Sequence, residues 1–370
     1  MAARDERVNR PTCVVVLAAG EGTRMRSARP KPLHHLCGRP MVLYVLDAAA
    51  HEDVRATVVV VGHDATWVEK EISERRSPDA RLTFVEQREQ LGTGHALGVA
   101  LPSLDDAFGD DDGDVVIVPG DAPLLRRASI AHLLAAHRER GAALTMLGAT
   151  LEDPTGYGRL LHAKDGTLER VVEESDATAE ERRINDVNTS VIVVRQSLLG
   201  PALRHLDRRN AQEEYYLTDL VSVLHDLGHL TTSVMLEDPT EGSNINDRRQ
   251  LARAEAVMRR RINDQWLTRG VTMWSPENTY VDADVELAAE VSLLPGTVLR
   301  GRCVVARGAE IGPNALLRDV EVGEGAVVGA VEATRVRIGA EARVGSFVVL
   351  APGADVAPGE VVTPASPTSH

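Results

Sequence analysis

The feature that most constrains the fold is an aliphatic residue that recurs at every sixth position in the last part of the chain. An α-helix repeats every ~3.6 residues and a strand every ~2, so neither produces this spacing. A six-residue step is typical of the short flat faces of a β-helix, each with one aliphatic side chain pointing inward. The first run is Val281, Leu287, Leu293, Leu299, Val305, Ile311 and Leu317, then Val322 and Val328 after a one-residue slip; the second is Ile338, Val344, Leu350, Val356 and Val362.

Glycine and proline residues between the aliphatic positions predict the turns of this β-helix. They are Gly296, Gly301, Gly308, Gly312, Pro313 and Gly323. The interval between Val328 and Ile338 breaks the register. We expect a loop there, near residues 332–334.

Upstream, short apolar runs alternate with helical patterns. Strands are predicted over 14–20, 57–62, 82–87, 114–121 and 143–150, and helices over 40–50, 65–74, 94–101 and 129–140. The runs are apolar throughout rather than at every second residue, which indicates a parallel sheet covered on both faces. Ligands of such sheets bind beyond the carboxyl ends of the strands, where both the loop after residue 20 and Asp121 lie.

The stretch LAAGEGTRMRSARPKPL, residues 17–33, follows the first predicted strand and favours an anion site. Its glycines let backbone N–H groups approach phosphate oxygens, and its cations supply charge. The chain carries a net charge of -14 and only three lysines, one of them Lys31 in this loop. A solvated basic loop is the alternative interpretation.

Composition excludes several classes of protein. Apolar residues make up 43% of the 370, and the three cysteines have no metal-ligand or disulfide spacing, which favours a reducing, cytoplasmic setting. We find no signal peptide and no apolar stretch long enough for a membrane span. The acidic pI of about 5.4 argues against nucleic acid as a partner.

A charged helical stretch, 247–267, separates the two patterns. We therefore predict a flexible N-terminus at 1–11, an α/β domain at 12–246, a connector helix at 247–270, a β-helix at 271–362 and a tail at 363–370.

Nine motifs in order resemble the bifunctional bacterial N-acetylglucosamine-1-phosphate uridylyltransferase/glucosamine-1-phosphate acetyltransferase family, over about residues 12–360. LAAGxGTRM alone marks the wider nucleotidyltransferase class, whereas QLGTGHA with NAQEEYYLTD is narrower. The motifs are LAAGEGTRM (17–25), PKPLH (30–34), QREQLGTGHA (87–96), GDAPLL (120–125), GYGR (156–159), VVEESDAT (171–178), DVNTS (186–190), NAQEEYYLTD (210–219) and NINDRRQL (244–251).

The resemblance implies that residues 12–246 form a nucleotidyltransferase (pyrophosphorylase) domain with an α/β Rossmann-like fold and a mostly parallel sheet. It implies that a short left-handed parallel β-helix follows. It also implies transfer of UMP from UTP to N-acetylglucosamine-1-phosphate, with Mg²⁺ as cofactor. The implied roles are uracil and ribose contacts at Leu17, Ala18, Ala19 and Gly20; triphosphate binding and catalysis by Arg24 and Lys31; uracil recognition by Gln87, Gly92 and Thr93; substrate binding at Gly120; magnesium binding by Asp121 and Asn246; and sugar binding by Gly158, Glu173 and Asn188.

Simpler structural roles remain open for some of these residues. Asp121 follows a glycine at a strand end and could be a turn residue, and Asn246 could cap the connector helix. Glu173 could be a solvated acid. We expect His95, Tyr215 and Tyr216 to be packing residues rather than catalytic groups.

Three departures from the family pattern leave the substrate open. Pro119 stands where the family has an aromatic residue, Ser175 replaces a basic residue, and Ser190 replaces a glycine. A nucleotidyltransferase with another sugar or base is therefore one alternative. A non-catalytic scaffold that binds nucleotide sugars is another.

The β-helix departs further from the family. It contains no lysine, no histidine occurs between His229 and His370, and Ala351 replaces an arginine. The family's β-helix also continues beyond the point where this chain stops. We expect no acetyltransferase activity from it. Because the family trimerises through this domain, and the β-helix offers a flat face rich in Ala and Val, we expect a homotrimer.

Overall fold

The computed structural model describes residues 10–50, 53–76 and 81–364. These residues form two compact units, one running to His34 and from Pro40 to Gln250, the other comprising His35–Arg39 and the chain from Leu251 onward. Residues 1–9 of the expected N-terminal segment and 365–370 of the expected tail lie outside the described residues. Within the described ranges, no helix is both long enough and apolar enough to cross a membrane.

Alternating strands and helices build the first unit. The short strands at His35–Leu36 and Arg39–Pro40 are counted here in chain order, although all their residues except Pro40 belong to the second unit. The strands are β1 (Thr12–Ala18), β2 (His35–Leu36), β3 (Arg39–Pro40), β4 (Val54–Val61), β5 (Leu82–Glu86), β6 (Asp114–Pro119), β7 (Leu144–Thr150), β8 (Arg159–His162), β9 (Leu168–Val172), β10 (Asp186–Arg195) and β11 (Thr231–Met235). The helices are α1 (Met41–Ala49), α2 (Ala65–Arg75), α3 (Thr93–Phe108), α4 (Arg127–Arg140), α5 (Gln196–Leu203) and α6 (Leu220–Asp226).

The central sheet is mostly parallel, as the apolar runs predict. Its strand order is β11-β7-β10-β6-β1-β4-β5, with the β8–β9 hairpin attached to β10. β1 pairs in parallel with both β4 and β6, and β10 alone runs antiparallel to its neighbours β6 and β7. The carboxyl ends of β1 and β6 therefore meet at one edge of the sheet.

Each face of this sheet packs into its own hydrophobic core. Along β1, Val14 and Val16 point into one core with α1, α2 and α4, whereas Cys13 and Val15 point into the other with α3, α5 and α6. All four side chains are at most 1% exposed. Burial on both faces is the physical reason why these strands are apolar throughout instead of alternating.

Helix α3 is longer than the sequence predicts. The prediction of 94–101 was wrong at its carboxyl end, where Pro102 lies inside a helix that continues to Phe108. An interior proline costs about 3 kcal/mol. Leu104 and Phe108, at most 2% exposed, offset this cost because each buried side chain of this size contributes roughly 1.5–3 kcal/mol.

In the second unit, very short strands stack into three parallel sheets. Helix α7 (Arg248–Thr268) precedes them. The strands are β12 (Thr272–Met273), β13 (Tyr280–Val281), β14 (Glu286–Leu287), β15 (Ser292–Leu293), β16 (Val298–Arg300), β17 (Val304–Val305), β18 (Glu310–Ile311), β19 (Leu316–Arg318), β20 (Glu321–Val322), β21 (Val327–Val328), β22 (Glu332–Thr334), β23 (Arg337–Ile338), β24 (Arg343–Val344), β25 (Asp355–Val356) and β26 (Val361–Val362). Up to β24, every third strand joins the same sheet, which is the arrangement of a parallel β-helix; in the last coil β25 pairs with β23 and β26 with β24.

The register of the coils confirms the six-residue period and corrects one expectation. Leu299 pairs with Leu317, one coil of three six-residue faces further on. The loop expected at 332–334 is wrong, because β22 occupies these residues and pairs with β19, Ala333 lying beside Leu317. Here two faces shorten to five residues, and the inward position is a small alanine, only 2% exposed. The sequence pattern was read from Val, Leu and Ile alone, and this alanine was therefore missed.

Candidate active site

A cavity of about 590 Å³ opens in the first unit at the carboxyl ends of β1 and β6. Most of the predicted site residues line it. They are Leu17, Ala18, Ala19, Gly20, Arg24, Lys31, Gln87, Gly92, Thr93, Gly120, Asp121, Glu173 and Asn246. Two predicted residues, Gly158 and Asn188, are not among the residues that line it.

Two short 3-10 turns shape the cationic loop at the mouth of the cavity. They span Thr23–Met25 and Lys31–Leu33, and the buried side chains of Met25 and Leu33 anchor them. Gly22 has φ 64, and a Cβ there would lie 2.6 Å from Cβ of Lys31. Glycine is therefore required both for the backbone conformation and for the path of the lysine side chain.

Four polar side chains from three segments converge in the cavity. Nζ of Lys31 forms an ion pair with Oδ2 of Asp121, and the same nitrogen lies 2.8 Å from Oδ1 of Asn246. Arg24 donates to that amide oxygen at 3.1 Å. The backbone N–H of Ile245 donates to the carbonyl of Asp121 at 2.9 Å and so ties the segment of Asn246 to the end of β6.

The donor set of this cluster fits a hard divalent cation. The Asp121 carboxylate and the Asn246 amide oxygen already share one positive group, the ammonium of Lys31. Mg²⁺ prefers a few protein oxygens together with water and phosphate oxygens. No group of three or more His, Cys, Asp or Glu side chains suited to a metal occurs in the described part of the chain.

Asn246 faces the cavity and does not cap α7. The residue directly before the helix is Asp247, whose Oδ1 accepts the N–H of Gln250 at 2.8 Å. Gln250 in turn accepts the N–H groups of Asn246 and Asp247. This reciprocal pair is a capping box, which leaves the amide of Asn246 for Lys31 and Arg24.

The residues predicted to recognise uracil, Gln87, Gly92 and Thr93, lie in one corner of the cavity at the start of α3. The side-chain amide of Gln87 donates to the carbonyl of Gly92 at 3.1 Å and lies 3.1 Å from Nδ1 of His95. Gly92 has φ 103, and a Cβ there would lie 2.6 Å from the carbonyl of Tyr215. Thr93 accepts the N–H of Leu217 at 3.0 Å.

The predicted sugar-binding residues are connected to one another. Gly158 accepts the N–H of Asn188 at 2.9 Å, and a Cβ on Gly158 would lie 3.1 Å from Oε2 of Glu173. Thr218 donates to Oε1 of Glu173 at 3.0 Å. Oδ1 of Asn188 accepts the N–H of Ser190 at 2.6 Å, and Ser190 lines the cavity. Asn188 therefore positions a lining residue.

Other carboxylates lie near Glu173, and burial raises the pKa of both Glu173 and Asp219. Burial raises the pKa of Glu173, with a smaller rise from the charges of Asp219 and Asp176 and an opposing hydrogen bond from Thr218. Burial also raises the pKa of Asp219 from 3.8 to about 6, assisted by the charges of Asp207 and Asp176. Desolvation disfavours the charged form of each acid, and the neighbouring charges act in the same direction.

Several lining residues were not among the predicted ones. Tyr216 packs as expected, at 8% exposed, yet it also lines the cavity. Ser190 lines it with φ 63, a left-handed conformation that favours glycine, the residue that the family pattern has there. Pro119 lines it from the end of β6, and Asn244 from the segment before α7. Of these residues, only Pro119 and Ser190 could be singled out in the sequence, because they depart from the family pattern.

Comparison with known proteins agrees with this geometry. Residues 14–213 match the family model of the MobA-like NTP transferase domain. The chain is 44% identical to the bifunctional protein GlmU of Clavibacter sepedonicus over 340 residues, which are 92% of this chain and 68% of that protein. It is 42% identical to that of Thermobifida fusca (strain YX) over 86% of this chain and 66% of the relative. The corresponding values for Brevibacillus brevis are 40%, 92% and 72%.

Fold and cavity together define a nucleotidyltransferase with a β-helical second unit. With the comparisons, the chain belongs to the GlmU family, and it spans roughly two thirds of the length of the first relatives. Membership makes it an enzyme of the UDP-N-acetylglucosamine diphosphorylase class, a sugar-1-phosphate uridylyltransferase. The second unit is the left-handed parallel β-helix of such a protein.

Proposed function

We propose that this enzyme transfers UMP from UTP to N-acetylglucosamine-1-phosphate and releases pyrophosphate. In this reaction a phosphate oxygen of the sugar 1-phosphate bonds to the α-phosphorus of UTP. The bond between that phosphorus and the oxygen bridging to the β-phosphate breaks, and pyrophosphate leaves with the electron pair. Two anions have to meet, so stabilising charge is needed more than a protein nucleophile.

The observation that carries the proposal is the convergence of Lys31, Arg24, Asp121 and Asn246 in one cavity. Lys31 and Arg24 bind and orient the phosphates of UTP. Asp121 and Asn246 would hold a magnesium ion, which would supply positive charge to offset the charge that develops on the phosphates. The bonds of Gln87 and Thr93 preorganise the corner for the base.

The other end of the cavity supports the sugar assignment. Glu173 is aligned by Thr218 and stands against the backbone of Gly158. A carboxylate fixed in this way accepts hydrogen bonds from sugar hydroxyl groups with little loss of side-chain entropy. We assign Glu173 to the sugar, with Gly158 and Asn188 supporting it from outside the lining of the cavity.

One assay tests the proposal and its main alternative. Pyrophosphate release is measured for the four NTPs, each with N-acetylglucosamine-1-phosphate and with glucose-1-phosphate, with and without Mg²⁺. We expect the fastest release with UTP, N-acetylglucosamine-1-phosphate and Mg²⁺. A different preferred pair would instead support the altered specificity that Pro119 and Ser175 suggest. Binding of UDP-N-acetylglucosamine without any turnover would point to a scaffold.

For the second unit we propose an assembly role without acetyl transfer. Its sequence from 271 to 362 contains neither lysine nor histidine, the usual candidates for a base near acetyl-CoA. CoA release that depends on glucosamine-1-phosphate would contradict this. We also propose a homotrimer built on the β-helix, which a monomer mass in light scattering would exclude. The three buried free thiols suit a cytoplasmic enzyme.

A further inference from the structure

Glu241 is a buried carboxylate in the turn that leads to Asn246. It belongs to a short 3-10 helix, Pro239–Gly242, and is only 3% exposed. It is not among the residues that line the cavity. A carboxylate that is removed from water needs hydrogen bonds or a nearby cation, because burying an unpaired charge is costly.

The side chain of Glu241 is bound by residues at the start of α4. Its Oε2 accepts the backbone N–H of Arg126 at 2.9 Å and the hydroxyl of Ser129 at 2.6 Å. Its Oε1 lies 3.6 Å from a guanidinium nitrogen of Arg126, and the same guanidinium donates to Asp238 at 3.1 Å. The N–H groups at the start of a helix lack partners within the helix and favour negative charge. Glu241 therefore caps α4 from a distant segment of the chain.

These bonds join the two segments that carry the proposed metal ligands. Asp121 lies five residues before Arg126, and Asn246 lies five residues after Glu241. At the other end, the N–H of Ile245 donates to the carbonyl of Asp121 at 2.9 Å. The two segments therefore run in opposite directions and are joined at both ends, with the side chain of Glu241 forming one of the two junctions.

The distance between these segments depends on few bonds. Residues 121–126 and 243–246 belong to no helix or strand, so that no ladder of backbone hydrogen bonds fixes their spacing. If the junction at Glu241 were lost, the segment of Asn246 could shift relative to Asp121. Mg²⁺ tolerates little displacement of its ligands, because it requires nearly ideal octahedral geometry.

We propose that Glu241 is a positioning residue for the divalent cation. By joining its turn to α4, it sets the distance between the amide of Asn246 and the carboxylate of Asp121. The inference rests on the proposed function, which assigns these two side chains to the metal. Replacing a residue that orients metal ligands typically costs about 10- to 100-fold in metal affinity or activity, whereas a residue that only stabilises the fold leaves metal affinity unchanged.

The test compares the full-length wild type with Glu241→Ala, Glu241→Gln and the control Ile130→Val. Ile130 lies in α4, is 6% exposed and does not line the cavity, so its truncation lowers stability without removing either junction. Dissociation constants of UTP are measured by calorimetry with and without Mg²⁺. The Mg²⁺ concentration for half-maximal pyrophosphate release is measured at saturating UTP and N-acetylglucosamine-1-phosphate. Thermal denaturation gives the unfolding midpoint of each protein.

The metal dependence of Glu241→Ala should change most. We expect its half-maximal Mg²⁺ concentration to rise about 10-fold, and the gain in UTP affinity on addition of Mg²⁺ to shrink about 10-fold. Glu241→Gln keeps an oxygen that can accept from Arg126 and Ser129, so both values should stay within about threefold of the wild type. Ile130→Val should lower the unfolding midpoint and leave both values unchanged.

A further variant covers the case in which Glu241→Ala does not fold. Ser129→Ala removes one of the two bonds to Oε2 of Glu241 and leaves the carboxylate in place. We expect its half-maximal Mg²⁺ concentration to rise about threefold. No change in the Mg²⁺ dependence of this variant would contradict the positioning role.

Other outcomes also overturn the inference. A lower midpoint of Glu241→Ala with an unchanged Mg²⁺ dependence would show that Glu241 only stabilises the fold. An equal loss in Glu241→Gln would show that its charge matters and its hydrogen bonds do not. A wild type whose UTP affinity and turnover are the same with and without Mg²⁺ would contradict the proposed metal site itself, and so the two failures can be told apart.

Discussion

Two buried threonines of the β-helix and the polar cluster of the cavity use their hydrogen bonds in different ways. In the β-helix, the hydroxyls of Thr279 and Thr297 are buried and donate to backbone carbonyls of the turns, so each polar group completes the local fold. In the first unit, Lys31, Asp121 and Asn246 satisfy one another across an open cavity. Their bonds can be exchanged for bonds to a ligand, because they do not hold the backbone together.

This difference assigns stability and chemistry to separate parts of the chain. The β-helix is stabilised by a repeated aliphatic core and by strand pairing from coil to coil. The sheet of the first unit has two apolar cores, and the polar side chains that line the cavity lie where its strands end. Substitutions in the core of the β-helix should change the free energy of unfolding, and substitutions among the polar side chains that line the cavity should change turnover.

The largest effect is expected at Asp121. Asp121→Asn keeps the shape of the side chain but removes the charge that pairs with Lys31 and that we assign to the metal. We expect kcat/KM for pyrophosphate release to fall about 10²- to 10³-fold, or roughly 3–4 kcal/mol. The control Asp106→Asn lies on the exposed side of α3 and should leave kcat/KM unchanged. Full activity of Asp121→Asn would remove the carboxylate from the mechanism.

Two neighbouring valines test whether the core of the β-helix contributes to stability and not to turnover. Val305 is 1% exposed inside the β-helix, and Val304 beside it is 45% exposed. We expect Val305→Ala to lower the free energy of unfolding by about 2 kcal/mol through lost burial and a cavity, and Val304→Ala by far less. Denaturant unfolding measures both. If Val305→Ala lowered kcat at 25 °C without changing unfolding, the separation of roles would be wrong.

The raised pKa of Asp219 predicts a pH-dependent stability. Because its pKa in the folded protein is about 6, against an ordinary 3.8, the folded state holds this proton more tightly than the unfolded chain. The resulting stabilisation is present below about pH 4 and is lost as the pH rises to about 6. We therefore expect Asp219→Asn to be more stable than the wild type by about 1 kcal/mol at pH 7.5, with no advantage at pH 4.

Urea unfolding of both proteins at the two pH values is the measurement. Asp226→Asn, on the exposed end of α6, serves as the control and should follow the wild type at both. An advantage of Asp219→Asn that is the same at pH 4 and pH 7.5 would mean that ionisation is not its cause.

The smallest effect is expected at Ser190. Its φ of 63 is a left-handed conformation, which costs a residue with a Cβ roughly 1 kcal/mol relative to glycine. Ser190→Gly should raise the free energy of unfolding by about 0.5–1 kcal/mol, because the bond from its N–H to Asn188 is retained. Ser190→Ala keeps the Cβ and should show no gain. Equal stability of all three proteins would show that the strain is negligible.

Local patterns were sufficient to predict both architectures. The apolar runs of the sheet and the six-residue step of the β-helix each reflect one rule of burial, repeated along the chain. The errors occurred where packing outweighed a local signal. Pro102 lies inside α3 because Leu104 and Phe108 are buried beyond it. Ala333 fills an inward position in a shortened coil where only larger aliphatic residues were counted.

The candidate site could be predicted only in part. Its motifs named Lys31, Asp121 and Asn246, and the structure brings these three together although they come from distant segments. The motifs could not separate Asn188, which supports the wall, from Glu173, which lines it. That distinction depends on hydrogen bonds between strands, and no single segment contains it.

The sequence by itself determined the two kinds of core, the cationic loop after the first strand and the family to which its motifs belong. These properties are local or periodic, so that a few neighbouring residues express them. Only the tertiary structure decided which oxygens surround Lys31, that Asp247 rather than Asn246 caps α7, and that Glu241 joins the turn before Asn246 to α4. Each of these depends on how separate segments meet, because a hydrogen bond requires a distance and a direction that sequence spacing does not contain.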